Sequence, residues 1–415
     1  MRLRIFGPGL ASALLLAGVP VHAQTPAPMT LQQVLAVARA RNPGLLSAQQ
    51  HVIATKASEI TAGLRQNPTF TVSGANTTLP AANPSSPYTY VGNVSRLFER
   101  GQKRRWRLDA ATATTSVTRS QYDDQQRQLV LQVKDAFTDM LAAKAALQVA
   151  QDNLDSYRKT VDLSQARLNA GDMSKTDFER IDLQLAEFES DYDNARLNLV
   201  QGSDSLQMLM GIERPSPSFD IVGSLEPPGL TTSLAQIQQE ALAARPDYQA
   251  ARESVTLADA NVKVADSEGT TDPTLGGEYE RLGVFNSAGF QVSIPVRIFD
   301  RNQGEKERTR DEAQSSRFAA IEARNQVLND VDQAWAGYLA ALDLAQRYND
   351  HYLAESERVR ANLEFSYRHG GATLLDYLDA LRDYRQVHLD ALAANQQVWL
   401  SLDQLSFAAA TEIVP

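Results

Sequence analysis

LNAGDMSKTD, residues 168–177, and YRHGGATLLD, residues 367–376, are one passage written twice: glycine fourth, a hydroxyl residue seventh, aspartate tenth. Glycine takes the left-handed backbone that ends a helix, and a hydroxyl residue three positions before an acid starts one, so each passage reads as a turn between two helices. Ahead of the first turn Val133, Met140, Leu147, Leu154, Val161 and Leu168 recur every seven residues, with Ala136, Ala143, Ala150 and Tyr157 on the neighbouring line. Beyond it Phe178, Ile181, Leu185, Phe188, Tyr192, Ala195, Leu199, Gly202, Leu206 and Leu209 keep strict 3-4 spacing. Tyr377, Ala380, Tyr384, Val387, Ala391, Ala394, Val398, Ser401 and Leu405 do the same after the second turn. These are heptad seams, which pack helix on helix. No proline falls between Pro87 and Pro215 or between Pro295 and Pro415, so nothing breaks a helix there. Long helical hairpins are expected over about 101–210 and 304–411, and a helix from 101 to 169 would be about 100 Å long.

The duplication extends outward. Leu31–Pro43 (LQQVLAVARARNP) pairs with Leu234–Pro246 (LAQIQQEALAARP), and Asn67-Pro68-Thr69 with Asp272-Pro273-Thr274. Phe98–Gln102 (FERGQ) pairs with Phe299–Gln303 (FDRNQ), and VKDAFTDMLAA from Val133 with VDQAWAGYLAA from Val331; the offset stays between 198 and 205 throughout. Alternating segments precede each hairpin: Thr69-Phe70-Thr71-Val72-Ser73, the run around Tyr88, Tyr90 and Val94, the pairing of Leu275 and Tyr279 against Glu278 and Glu280, and Phe290-Gln291-Val292-Ser293-Ile294. Period-two alternation marks strands with one apolar face, expected at about 68–78, 87–98, 273–281 and 289–299. Pro80–Pro87 and Gly283–Ser287 read as the loops joining them. The chain thus divides into a first repeat (24–211), a linker carrying Pro215, Pro217, Pro227 and Pro228 (212–233), and a second repeat (234–415).

The first 23 residues, with Arg2 and Arg4, the apolar LASALLLAGV and Val21-His22-Ala23, read as a secretory signal peptide. There is no cysteine, hence no disulfide, thiol nucleophile or lipid-carrying cysteine. Lys and Arg number 40 against 50 Asp and Glu; loss of the leader takes the net charge from −10 to about −12, a poor balance for nucleic acid. No later segment is apolar enough for a membrane helix, but four strands of this kind match membrane-barrel strands, and a small soluble sheet packed on a helix is the alternative. Four strands cannot close a barrel, and open edges are prohibitive in lipid. A membrane reading therefore requires oligomers: eight strands from two copies, twelve from three.

These features together, with LAVARARNP and LAARP, the LFERGQKRRWR and RIFDRNQGEKER junctions and the two tips, resemble the TolC-type outer-membrane efflux family over essentially the whole mature chain, and GQKRRWR leans toward its heavy-metal branch. The resemblance implies a mainly α fold with membrane β: a duplicated strand-strand-helix-helix unit whose homotrimer forms a 12-stranded β-barrel continued by a 12-helix α-barrel tunnel, with an equatorial region around 212–233. It implies a passive exit duct in the outer membrane of a Gram-negative bacterium, projecting into the periplasm. An inner-membrane pump and a periplasmic adaptor (membrane fusion protein) would be its partners, and outer-membrane lipid its surroundings. A soluble periplasmic coiled-coil adaptor, or a duct for type I protein secretion, are the alternatives.

By the same resemblance Asp376 and Asp379 would ring the periplasmic gate, where threefold symmetry brings six carboxylates together, and Tyr367 would bond Asp177 in the closed state. Where related chains carry a gating arginine this one has Ala372. Capping competes with gating: Ser174 and Thr373 read as N-caps with Asp177 and Asp376 near the positive helix end. Leu168, Gly171, Gly370 and Gly371 mark the tips, where an adaptor would dock. Arg100, Lys103, Arg104, Arg105 and Arg107 form a basic cluster at the strand-to-helix junction, either a solvated face or a band against lipid or duct. The five scattered histidines and the lack of HExxH, GxSxG or P-loop patterns leave no catalytic, cofactor or metal site.

Overall fold

The computed structural model describes residues 27–75, 88–230 and 232–413. The expected leader, the Pro80–Pro87 loop and the end of the first strand lie outside them. The chain runs α1 (Leu31–Arg41), α2 (Pro43–Gly63), β1 (Thr69–Ala75), β2 (Thr89–Leu97), α3 (Lys103–Ala170) and α4 (Lys175–Leu209). It continues as α5 (Leu234–Ala244), α6 (Pro246–Glu268), β3 (Thr274–Leu282), β4 (Phe285–Ser293), α7 (Gln303–Arg347), a π-helical turn (Tyr348–Tyr352), α8 (Leu353–Arg368) and α9 (Leu374–Ala409). Local chemistry sets the boundaries. Thr30 and Gln33 form a capping box ahead of α1, and Asn42 accepts the Leu45 N–H while Pro43 opens α2. Ser233 and Pro246 hold the corresponding places at α5 and α6.

The 68 residues of α3 form one helix of about 100 Å. Its seam residues Val133, Met140, Ala150, Leu154 and Tyr157 are buried, as are Ile181, Phe188, Ala195 and Leu206 of α4 and Tyr377, Ala380, Ala391, Ala394, Val398, Ser401 and Leu405 of α9. The second hairpin departs from the expected continuous pair at Tyr348–Tyr352, where the α-helical ladder gives way to a π turn.

The four strands form an antiparallel meander in the order β1-β2-β3-β4, with the two repeats joined by β2 against β3. The expected strand at 289–299 and loop at 283–287 need correction. Leu282 pairs directly with Phe285 across a two-residue turn in which Gly283 has φ +57°, so the strand begins four residues early. It ends at Ser293, ahead of Pro295, which has no N–H to give the ladder. Below the sheet the helices repeat the strand order: α2 packs on α3, α3 on α6 and α6 on α7.

Both layers end in the same two open edges, β1 with α2 and β4 with α7. Phe70, Val72, Phe290 and Val292 are exposed on the edge strands, Leu46, Ile53 and Ile60 at seven-residue spacing on α2, and Phe318 and Ile321 on α7. Farther down, α1 packs against α3 and the end of α4, while α5 packs against α7 and α9. Segment 212–230 lies on this belt: Met29 bridges Ile221, Lys144 reaches Asp220 at 2.6 Å, and Gln207 holds Ser216. Gly211 has φ +74°, and a Cβ there would stand 2.5 Å from the Arg41 carbonyl oxygen, so the turn into this segment requires glycine.

Candidate functional site

The two tips have one geometry. The Gly171 N–H donates to the Leu168 carbonyl and the Asp172 N–H to Arg167; the Gly370 N–H donates to Tyr367 and the Gly371 N–H to Ser366. Each is a Schellman turn closed by a glycine, with φ +84° at 171 and +77° at 370. A Cβ at either glycine would meet nothing within 4 Å, so backbone conformation alone selects glycine there. The next helices begin at Ser174 and Thr373. Thr373 and Asp376 form a full capping box, with the Asp376 carboxylate accepting the Thr373 N–H at 3.0 Å. Asp177 instead accepts the Ser174 hydroxyl at 2.8 Å while its own N–H donates back to Ser174.

The candidate gate residues are therefore all at the tips, with definite partners. The Thr373 hydroxyl and N–H hold the Asp376 carboxyl below its ordinary range. Asp379, one turn on and exposed, accepts from Arg382 at 3.1 Å. Tyr367 does not bond Asp177 here. Its ring lies flat against Tyr377, centroids 5.3 Å apart and 2° from parallel, with the Arg167 guanidinium 5.7 Å away. Burial, then the nearby Asp177 charge, raises the Tyr367 phenol against the pull of Arg167. Ala372 sits in the turn with no side-chain donor to offer. An apolar cluster of Leu154, Tyr157, Ile181, Phe188 and Leu378 ties both hairpins together just above, with Tyr157 stacked on Phe188 at 4.3 Å.

The basic cluster is not one surface. Lys103 is 3% exposed and donates to Asp272 at 2.5 Å and to the Thr270 carbonyl at 2.9 Å, with Glu268 3.3 Å away. It joins the start of α3 to the passage from α6 into β3, and Asp272 completes the joint by accepting the Arg100 N–H at 2.8 Å. Arg107 forms a two-bond pair with Glu99. Arg105 lies over Trp106 and bonds Gln102. Only the Arg100 and Arg104 side chains are exposed without an ion-pair partner among the described residues. A band of five free charges is thus replaced by a buried pin, a paired arginine and a small exposed remainder.

Sequence reasoning missed a second cluster of buried charge at the level of α1 and α5. The last turn of α9 carries no basic residue, and its negative end is met by cations from other elements. Arg127 donates to the Phe407 carbonyl at 2.6 Å and lies 3.8 Å from that ring. Arg245 reaches the Ala408 carbonyl and pairs with Asp247 and Asp330. Lys134 pairs with Asp403 at 3.5 Å and with Glu412. Burial pushes Asp403 up to about 6 although Lys134 opposes it. Burial, with Asp403 and Asp139 nearby, takes Asp135 up to about 7. The acidic end of α9 without a basic residue of its own was the available signal.

The fold has counterparts among known proteins. Residues 34–212 match the family described as outer membrane efflux protein. The match spans α1 to α4, the first repeat of the chain. It is 25% identical over 402 residues to the cobalt-zinc-cadmium resistance protein CzcC of Cupriavidus metallidurans, covering 93% of this chain and 92% of that protein. A crystal structure of CusC superposes with a TM-score of 0.78 at 20% identity over 91% of each chain. The open-state MtrE outer membrane channel of Neisseria gonorrhoeae gives 0.75 at 20% identity, covering 92% and 89%. The chain shares that architecture, and no helix among the described residues is long and apolar enough to cross a membrane.

Proposed function

We propose that three copies of this chain assemble edge to edge into a 12-stranded outer-membrane barrel continued by a 12-helix periplasmic tunnel, a passive exit duct for small toxic solutes, with metal cations the favoured cargo. The observation that carries this reading is the coincidence of edges. The sheet and the helical layer below it stop at the same two places, and each edge exposes apolar residues, with Phe290 88% and Ile60 69% accessible. An unpaired strand edge in lipid costs several kcal/mol for each unsatisfied group, so β1 of one copy is matched to β4 of the next, and α2 to α7.

The hairpin tips then point away from the membrane, where Asp376, Asp379, Asp177 and Tyr367 form the periplasmic gate. Leu168, Gly171, Gly370 and Gly371 present the surface for a periplasmic adaptor that couples the duct to an inner-membrane pump. Carboxylates at a threefold constriction favour cations, in keeping with the cation resistance for which CzcC is named. The duct has no chemical step to perform. Membrane fractionation with heat-modifiable gel mobility, followed by planar-bilayer recording, tests the reading: a heat-sensitive trimer in the outer membrane that conducts ions is expected. A soluble periplasmic monomer would overturn it.

A further inference from the structure

The register of the sheet sorts its side chains into two faces. Residues directly opposite one another in antiparallel strands share a face, so Phe70, Val94, Gly277 and Phe290 form one row and Arg96, Leu275 and Val292 the next. Val72, Tyr90 and Tyr279 stand on the same face, and its large apolar side chains are exposed. The opposite face carries Thr71, Asn93 and the two acids of the strands, Glu278 and Glu280. In a barrel the first face meets lipid and the second the lumen. The two arginines of the strands both stand on the lipid face, one at each end: Arg281 beside the Gly283 turn, Arg96 where the helices begin. An arginine at that height keeps its stem against apolar surface and its charge at headgroup depth.

Arg96 opens onto a cleft. Between the end of α2, the end of β2 and the start of α3 lies a space of about 350 Å³, lined by Arg65, Gln66, Arg96, Phe98, Gln102 and Arg104. The Arg96 guanidinium lies 5.3 Å from the Phe98 ring. Arg65 and Arg104 are exposed, and none of the three arginines has an ion-pair partner among the described residues. The one acid on the cleft, Glu99, is already held by Arg107 through two bonds, and Lys103 at its floor is taken by Asp272. Phe98 and its counterpart Phe299 in the second repeat are both exposed at this level, as aromatic residues are where membrane meets water. The second repeat lacks the charge. The pairings of Asn67 with Asp272 and of Phe98 with Phe299 place Thr270 where Arg65 stands and Glu305 where Arg104 stands, leaving Arg297 alone in the place of Arg96.

Resting on the outer-membrane reading above, we propose that this cleft binds the phosphate of an acidic phospholipid in the leaflet next to the helices, one per chain and three per trimer. Guanidinium groups match phosphate oxygens with paired hydrogen bonds, and basic pockets at a membrane face take anionic headgroups. A lipid is favoured over free phosphate because Arg96 continues the row of Leu275 and Val292. A phosphate held there leaves its acyl chains against the apolar face. The site fixes the first repeat at one depth in the bilayer, in a chain that has no cysteine to carry an acyl group.

Native mass spectrometry of the detergent-solubilised full chain, with phosphatidylglycerol or phosphatidylcholine added, tests the site. One phosphatidylglycerol per chain should be retained, about tenfold more tightly than phosphatidylcholine. Each arginine at such a surface contributes a factor of about five, so Arg96→Gln with Arg104→Gln should weaken retention about 25-fold. The charge-matched pair Arg297→Gln with Arg301→Gln, at the same level of the second repeat, should leave one site per chain occupied. Equal retention of the two lipids, or equal losses from the two pairs of substitutions, would overturn the site. Inorganic phosphate at the same concentration should not displace the lipid; displacement would overturn the lipid assignment in favour of a free anion. Retention is read whether or not the chain conducts ions, so failure of the site and failure of the exit-duct reading are separate results.

Discussion

Replacing Lys103 by glutamine and, separately, its neighbour Arg104 by glutamine removes one positive charge from the same turn of α3, yet the structure gives the two changes different consequences. Lys103 is buried against Asp272, itself only 15% exposed. Its loss strands a carboxylate and the Thr270 carbonyl, and breaking a buried pair of this kind costs about 3 kcal/mol at the low end of its range. Arg104 is exposed without an ion-pair partner among the described residues, and such surface changes fall within about 0.5 kcal/mol. A chain of 415 residues unfolds with an entropy of about 0.9 kcal/mol/K. The expected drop in melting temperature is therefore about 3 °C for Lys103→Gln and under 1 °C for Arg104→Gln, followed by circular dichroism at 222 nm on purified protein in detergent. Salt should leave the difference in place, because buried pairs are weakly screened. Equal shifts for the two variants would refute the pin and restore a uniform basic face.

Asp376→Ala with Asp379→Ala should weaken block by divalent cations in planar bilayers; unchanged block would leave Asp376 as a helix cap and Asp379 as the partner of Arg382. At Gly171 or Gly370 alanine meets open space and only the left-handed backbone opposes it, so each change should cost about 1 kcal/mol by thermal unfolding. Gly211→Ala, facing the Arg41 carbonyl, should cost more than either. Ile53→Asp with Ile60→Asp on the free edge of α2 should abolish the trimer band on unheated gels while leaving helix content intact. Asp403 and Asp135 hold folded pKa values of about 6 and 7, above the unfolded value of about 3.9. The folded chain therefore binds more protons than the unfolded one between about pH 4 and 7. Stability should rise as pH falls through that window, and Asp403→Asn should flatten the slope.

The helices were legible because their chemistry is periodic and local. Seam spacing, proline-free runs and the glycine, hydroxyl and acid order at 168–177 and 367–376 all report on neighbours within two turns. The π turn was not legible: YNDHY has no glycine or proline, and the extra residue shows only against the fixed length of the partner helix. Leu282 and Phe285 show the same limit, since GVF reads as a loop until pairing with β2 and β3 sets the register. Lys103, Arg245 and Lys134 were misread or missed for a different reason. A cation is normally a solvent residue, and what turns it inward is a carboxylate far away in sequence, here Asp272, Asp330 and Asp403. Tyr367 likewise found a flat aromatic partner in Tyr377, which belongs to the seam, rather than Asp177 of the other hairpin.

The Lys103–Asp272 joint occurs once in each chain, although the two repeats supply two places for it. In the second repeat the position of Lys103 is held by Gly304 and in the first that of Asp272 by Asn67. In the proposed trimer the boundary between neighbours would bring this uncharged pair to the place where the boundary inside a chain has a buried ion pair. Such a ring would consist of three asymmetric pairs rather than six equal half-chains. Each chain closes its own seam by charge, and in that trimer the seams left for assembly would be those that apolar contact and strand pairing can close.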